Sequence, residues 1–406
     1  MSGERRRFVL IGNGVAGTTC AEVLRKEDPA ASITLITDEP YPLYNRVALP
    51  RMLQGRIPGE KVFLKTADWH TQHNIRFLRE TRVIAVDTEG RTVLTSAGQE
   101  IPWDALLVAT GGRPNGLPVP GGNAPNCMNF QYYDDTVRLI DQIQRTKRAV
   151  SVGGSFISYE MAEAFRERKL EVTWLIRGPR WLRRVLDEEG GELVDRIARA
   201  HGVDVVHGEE VAEVVVRDGV AVGVRTTGDQ TIDCQLIGSG VGLTMNTDFL
   251  RGSGIVLGSG VITDEFLRTN IAGVFAAGDI AEYRDRVADT HHMMGTWDNA
   301  LAHGRVVALN MLGGHEPYVD VPTYQSGLFD TIISVLGVTP EALPGASSVT
   351  RCDFEARSYR RLFFQDDRLV GAVLLGSIKG KKRLMDLIRE HAHCPTEGDK
   401  RILLQS

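Results

Sequence analysis

The first unbroken apolar run of the chain, Phe8-Val9-Leu10-Ile11, is only four residues long and carries aromatic and β-branched side chains. That length and composition predict a strand buried on both faces. Gly12-Asn13-Gly14-Val15-Ala16-Gly17 follows, then a helical stretch from Thr18 to Lys26, and Ser32-Ile33-Thr34-Leu35-Ile36-Thr37 predicts a second strand that stops at Asp38-Glu39-Pro40. Strand, glycine turn, helix and strand make a βαβ unit, whose two strands lie parallel. The same order returns with a strand at Ala149-Val150-Ser151-Val152, a turn at Gly153-Gly154-Ser155-Phe156-Ile157-Ser158, a helix from Tyr159 to Arg168 and a strand from Glu171 to Ile176. Two further apolar runs, ending in Ala109-Thr110-Gly111 and Ala277-Gly278-Asp279, stop abruptly at glycine and present polar atoms at the carboxyl end of a strand. From about Pro317 the pattern changes to alternating strands, such as Tyr359 to Gln365 and Val370 to Leu375, followed by a helix from Lys379 to His391. That tail reads as a separate small α+β domain.

Composition narrows the function classes. The 406 residues are 42% hydrophobic and 24% charged, as in an ordinary folded protein of two or three domains. Lys plus Arg is 47 and Asp plus Glu is 52, giving 47 − 52 = −5, so bulk charge gives no reason to expect nucleic acid or an anionic membrane as partner. No apolar run is long enough to span a bilayer. Arg5-Arg6-Arg7 flows straight into the first strand and is read as its lead-in rather than as an export signal. Cys20, Cys127, Cys234, Cys352 and Cys394 show no CxxC and no metal-ligand spacing, which argues for a reducing, cytoplasmic setting, against a redox disulfide and against a metal site.

The first turn has the chemistry of dinucleotide binding. Gly12 makes the tight turn, Gly14 lets a pyrophosphate approach the backbone, Gly17 permits close helix packing, and the helix N-terminus adds partial positive charge. An acid about twenty residues on, here Asp38 or Glu39, suits a ribose diol. Beyond it, Asp38-Glu39-Pro40-Tyr41-Pro42-Leu43-Tyr44-Asn45-Arg46 and Leu49-Pro50-Arg51 resemble the E-P-x-x-x-Y-[DN]-R-x-x-L-S-K stretch of FAD-dependent reductases. With Ala109-Thr110-Gly111, Ala277-Gly278-Asp279 and Trp297-Asp298-Asn299-Ala300 in the same order, the whole chain resembles the pyridine nucleotide-disulfide oxidoreductase superfamily, and within it the ferredoxin and rubredoxin reductases and the flavin part of NAD(P)H-nitrite reductases.

The resemblance implies two Rossmann-like, glutathione-reductase-type domains. FAD falls to 1–112 and 241–315, the nicotinamide dinucleotide to an inserted domain at 113–240, and 316–406 to the α+β domain, which covers the flavin and offers a dimer contact. It gives the FAD pyrophosphate to Gly12, Gly14, Ala16, Gly17 and Arg46, the adenosine ribose to Glu39 with Asp38 beside it, and adenine to the Val83 backbone. Ala109, Thr110, Gly111, Arg113, Gly278 and Asp279 fall along the remaining length of FAD, and Trp297 near its ring system. Arg51 stands where the family has a lysine near the flavin, with Glu160 as the acid that pairs with it; these two are the expected catalytic residues. Arginine is not a proton donor at neutral pH, so only its charge carries over.

The second turn departs from three glycines, since Ser155 and Ser158 replace the second and third. It resembles the G-x-S-x-x-A turn and following L-L-R-G of the large NADPH-using thioredoxin reductases, here Leu175-Ile176-Arg177-Gly178. Gly153, Gly154, Ser155, Phe156, Ile157, Glu160, Arg177 and Gly240 are the expected nicotinamide-dinucleotide contacts. Arg177 stands where an NAD-selective protein places an acid, and Arg180, Arg183 and Arg184 add positive charge, which favours NADPH over NADH.

Without a paired cysteine, the resemblance implies that electrons leave the flavin for a small ferredoxin- or rubredoxin-type protein or a partner reductase subunit. Lys379, Lys381, Lys382 and Arg383 either steer an acidic partner or form a solvated face. His291, His292, Met293 and Met294 are either an acceptor surface or core and loop filling. Gly295 replaces a family glutamate. Two other readings stay open: an NAD(P)H oxidase using dioxygen, and a flavoprotein subunit or scaffold that has lost nicotinamide binding through its serines.

Overall fold

The structure, a computed structural model, describes residues 5–286, 289–394 and 396–405. The chain divides into two compact units. The first comprises Met1–Asn45, Phe63–Arg113 and Met245–Thr323. Its parallel sheet runs Val274–Ala276, Ala105–Val108, Arg7–Ile11, Ser32–Ile36, Ile75–Leu78. The unbroken apolar run at its centre is explained by two cores. Phe8 and Leu10 point to a core shared with Cys20, Leu24 and Val307 of the helices Val15–Glu27 and Trp297–Met311. Val9 and Ile11 point to the other face, beside Val93 and Trp103 of an antiparallel layer that includes Val83–Asp87, Thr92–Thr95 and Glu100–Pro102. Helices Val15–Glu27 and Trp297–Met311 pack closely at Gly304, where a Cβ would lie 2.4 Å from the Ala16 carbonyl oxygen.

The second unit comprises Arg46–Val62, Pro114–Thr244 and Tyr324–Ser406. Its parallel sheet has the order Val203–His207, Glu171–Ile176, Arg148–Val152, Leu236–Ser239, Cys127–Asn129. An antiparallel sheet follows in the chain order Val211–Arg217, Val220–Thr226, Thr231–Asp233. The C-terminal region is a five-stranded antiparallel sheet ordered Thr323–Leu328, Thr331–Gly337, Arg368–Leu375, Ser358–Gln365, Ser347–Asp353, with helices Lys381–Arg389 and Glu397–Gln405. Two glycine-turned parallel sheets plus an α+β tail are the fold class the hydrophobic pattern predicts.

Both nucleotide-type helices begin three residues earlier than predicted, at Val15 and Phe156. The reason is that the last three positions of a GxGxxG motif already form the first helical turn. The final helix Glu397–Gln405 has no counterpart in the predicted elements.

Candidate dinucleotide-binding sites

The first turn lies at the carboxyl end of Arg7–Ile11, between Ile36 and Ala109. Gly12 donates its N–H to the Ile36 carbonyl at 2.8 Å, and Ala109 donates to the Ile11 carbonyl at 2.8 Å. Each motif glycine has a different reason to be there. Gly12 has φ +115°, and a Cβ on it would sit 2.2 Å from the Ala109 oxygen; a Cβ on Gly17 would sit 1.9 Å from the Gly12 oxygen. Gly14 is unlike both, because a Cβ there would meet no atom of the chain within 4 Å. It heads the Val15–Glu27 helix, which has no side-chain cap and no acid in its first turn. An open glycine before an uncapped, acid-free helix N-terminus fits a bound pyrophosphate, whose oxygens would take the first-turn N–H groups.

The neighbouring residues assemble around that turn. Ala16 is buried against the loop at Gly278, whose Cβ position (φ +76°) is 3.4 Å from the Ala16 Cβ and 3.5 Å from the Ala300 Cβ. Asp279 follows, and a Cβ on Gly295 would make an ordinary 3.4 Å contact with its carboxylate. Trp297 is half-buried at the start of its helix. Glu39 accepts a hydrogen bond from the Tyr44 hydroxyl at 2.6 Å, whereas Asp38 is exposed and pairs with Arg82 at 3.3 Å. Thr81 donates its N–H to the Thr37 carbonyl at 2.8 Å, which draws the chain leading to Val83 alongside the end of the second strand. Thr110 and Asn246 exchange hydrogen bonds at 3.0 and 2.9 Å, Arg113 reaches Asn246 at 3.1 Å and Asp248 at 3.2 Å, and Gly111 has open space at its Cβ position.

One buried group here escaped sequence reasoning. His303 is fully buried, and its Nδ1 accepts the Gly278 N–H at 3.2 Å. Desolvation drives its pKa down to about 3, so the ring is neutral, and the accepting nitrogen forces the proton onto Nε2.

Arg46 and Arg51 belong to the second unit. Arg46 donates to the Gln131 carbonyl at 3.1 Å and lies over the Tyr132 ring at 4.9 Å. Arg51 is exposed on the short helix Leu49–Gln54.

The second turn keeps its shape without three glycines. Gly153 retains the special backbone, with φ +130° and a Cβ position 2.3 Å from the Gly240 oxygen, while a Cβ on Gly154 would make an ordinary 3.5 Å contact with Ile176. The Ser155 hydroxyl turns to the Gly240 carbonyl at 3.0 Å, and Ser158 Oγ accepts the Ser155 N–H at 3.2 Å. The close approach normally allowed by the third glycine is supplied from the opposite side, since a Cβ on Gly240 would stand 2.7 Å from the Ser158 nitrogen. Two indoles, distant in sequence from the motif, complete the turn: Trp174 donates to the Gly153 carbonyl and Trp181 to the Ser155 carbonyl, each at 3.0 Å. Phe156 and Ile157 then open a helix with no acid in its first turn, as in the first unit, although here Ser155 and Ser158 form a capping box that the first helix lacks.

Glu160, one turn along that helix, is buried and accepts from the Ser326 hydroxyl at 3.0 Å and the Tyr324 hydroxyl at 3.3 Å. Burial pushes its carboxyl up to about 7, against the pull of those two donors, and nearby Glu163 adds to the rise. Among the described residues, Glu160 makes no ion pair with Arg51; the expected acid–cation partnership is replaced by two hydroxyls from the C-terminal sheet. Tyr324 also packs its ring on Phe156 at 3.8 Å between centroids.

Arg177 follows directly on the strand Glu171–Ile176, exposed, with its Nε 3.6 Å from Glu210. Arg180 is committed to the Leu186 carbonyl at 3.0 Å and Arg184 to Glu341 at 2.7 Å. The five cysteines are free thiols. No helix among the described residues is long and apolar enough to cross a membrane.

Residues 6–304 match the pyridine nucleotide-disulphide oxidoreductase family, and residues 331–392 match the rubredoxin NAD+ reductase C-terminal domain. The chain is 28% identical over 412 residues to a nitrite reductase [NAD(P)H] of Bacillus subtilis, covering 99% of this chain and 49% of that protein, so it spans about half the length of that relative. It is 26% identical over 370 residues to putidaredoxin reductase of Pseudomonas putida, covering 89% and 86% of the two chains. The crystal structure of a ferredoxin reductase for the CYP199A2 system of Rhodopseudomonas palustris superposes with a TM-score of 0.87 at 25% identity, covering 94% of this chain and 95% of that one. With a glycine-turned parallel sheet in each unit, the chain belongs to the pyridine nucleotide-disulphide oxidoreductase family.

Proposed function

We propose that this chain is an FAD-dependent NAD(P)H oxidoreductase, cytoplasmic and favouring NADPH, that passes electrons to a small ferredoxin- or rubredoxin-type protein or to a partner reductase subunit. FAD is assigned to 1–112 and 241–315, and the nicotinamide dinucleotide to 113–240. The observation that carries the reading is the pair of acid-free helix N-termini, at Val15 and Phe156, each heading a turn whose first glycine has a positive φ. Held there, FAD would supply uptake of a hydride equivalent from a reduced nicotinamide and release of electrons one at a time.

In this reading the chain's own residues bind and orient. Gly14 and the helix behind it receive one pyrophosphate, Glu39 a ribose, and Asp279 and Trp297 the flavin end. Gly153, Ser155 and Phe156 receive the other pyrophosphate, and Glu160 contributes a buried carboxyl beside them. Arg177 attracts a 2′-phosphate by charge.

Anaerobic titration of the yellow protein with NADPH and then NADH tests this. Loss of the oxidised flavin bands, with less NADPH needed than NADH, is expected. Retained FAD that neither nucleotide bleaches would sink the reductase reading, and rapid steady turnover in air without any partner would make the chain an oxidase instead.

A further inference from the structure

We infer that Glu210 is a specificity-determining residue that opposes Arg177 in the recognition of a 2′-phosphorylated dinucleotide. This rests on the proposed role of Arg177. The strands Glu171–Ile176 and Val203–His207 are hydrogen-bonded neighbours, with Ile176 opposite His207. Immediately past them, Gly208 donates its N–H to the Ile176 carbonyl at 2.9 Å and to the Gly178 carbonyl at 3.2 Å. The segments 177–178 and 208–210 are therefore locked side by side.

The acid is also anchored from behind. Glu210 donates its N–H to the Thr227 hydroxyl at 3.2 Å, and Thr227 returns its own N–H to the Glu210 carbonyl at 2.9 Å. Glu209 accepts from the Gly228 N–H at 2.8 Å and the Thr227 hydroxyl at 3.1 Å, and these bonds hold its carboxyl below the ordinary range. The hairpin turn thus holds the backbone of Glu210 so that its carboxylate reaches Arg177, at 3.6 Å, with both side chains more than half exposed.

An arginine at the end of this strand attracts a 2′-phosphate, and a carboxylate fixed beside it does two things against that attraction. It occupies the guanidinium before the phosphate arrives, and it repels the phosphate afterwards. The consequence is a moderate preference for the phosphorylated nucleotide in place of a strict one, adjustable at position 210 alone.

Binding of 2′,5′-ADP and of 5′-AMP to the FAD-loaded protein, measured by calorimetry, isolates the phosphate from flavin chemistry. Glu210→Gln is expected to tighten 2′,5′-ADP about three- to tenfold while 5′-AMP stays within about twofold. Arg177→Leu is expected to weaken 2′,5′-ADP and to abolish the gain from Glu210→Gln in the double variant. If Arg177→Leu weakens 2′,5′-ADP but Glu210→Gln leaves it unchanged, the inference about Glu210 is overturned and the reading of Arg177 stands. If Arg177→Leu has no effect, the reading of Arg177 falls and takes the inference with it.

Discussion

A neutral, fully buried His303 with its Nδ1 lone pair on the Gly278 N–H makes a specific demand: position 303 needs a hydrogen-bond acceptor close to the helix backbone. Replacing His303 by Leu orphans the buried Gly278 N–H, a loss of about 1–3 kcal/mol, offset in part because the change also removes the ring's Nε2–H, which is buried without a partner among the described residues. Chemical denaturation should show that loss, accompanied by weaker FAD retention, and His303→Asn, whose amide oxygen reaches a comparable place, should recover most of both. Glu160 makes a second demand. Its folded pKa of about 7 lies above the ordinary carboxylate value of 4.5, so the native state holds this proton more tightly than the unfolded chain. Between those values the folded protein binds the extra proton, and stability falls as pH rises through the window, by about 3 kcal/mol in total for this group. Glu160→Gln, which mimics the protonated acid, should therefore match wild type near pH 4.5 and exceed it in urea midpoint above pH 7; equal midpoints at pH 8 would refute the buried-carboxyl account. Glu160 was legible in the sequence as a helix acid. Its true partners were not, because Tyr324 and Ser326 lie more than 160 residues away and no local pattern points to them.

The two βαβ units were readable at the level of elements because the buried strand that opens each leaves a clear trace, a short and largely apolar run that stops at a glycine turn. The antiparallel layers at 83–102 and 211–233 were not, since their strands are half exposed and carry mixed residues that fit loops equally well. The helix N-termini yield a prediction that separates structure from ligand. Gly14 is demanded by no contact within the chain, so Gly14→Val should change the stability of the FAD-free protein by less than about 1 kcal/mol, yet abolish retention of FAD through purification. Gly17→Val, with its Cβ position on the Gly12 oxygen, should fail on both counts. A Gly14→Val protein that stays yellow would show that the first turn is not where FAD sits.

At the scale of the whole molecule, each unit holds one turn built from its own residues: 5–45, 63–113 and 245–323 for one, 46–62, 114–244 and 324–405 for the other. The turns should therefore fail independently. Gly14→Val, having lost FAD, should bind 2′,5′-ADP with unchanged affinity, and a drop of more than about fivefold (roughly 1 kcal/mol) would mean that the second turn depends on the first. The net charge of −5 and the ordinary composition limit the partner only by exclusion, which is why the electron acceptor was the least legible part of the function.

Trp174 and Trp181 each lend an indole N–H to a carbonyl of the second turn. An indole's emission responds to the polarity and hydrogen bonding around its ring nitrogen, so the protein carries its own optical reporter at this turn. Arrival of a pyrophosphate there should alter tryptophan emission in a way that Trp174→Phe and Trp181→Phe each diminish. Occupancy of the second site can then be followed in real time, unlabelled, even by a nucleotide that carries no electrons to give.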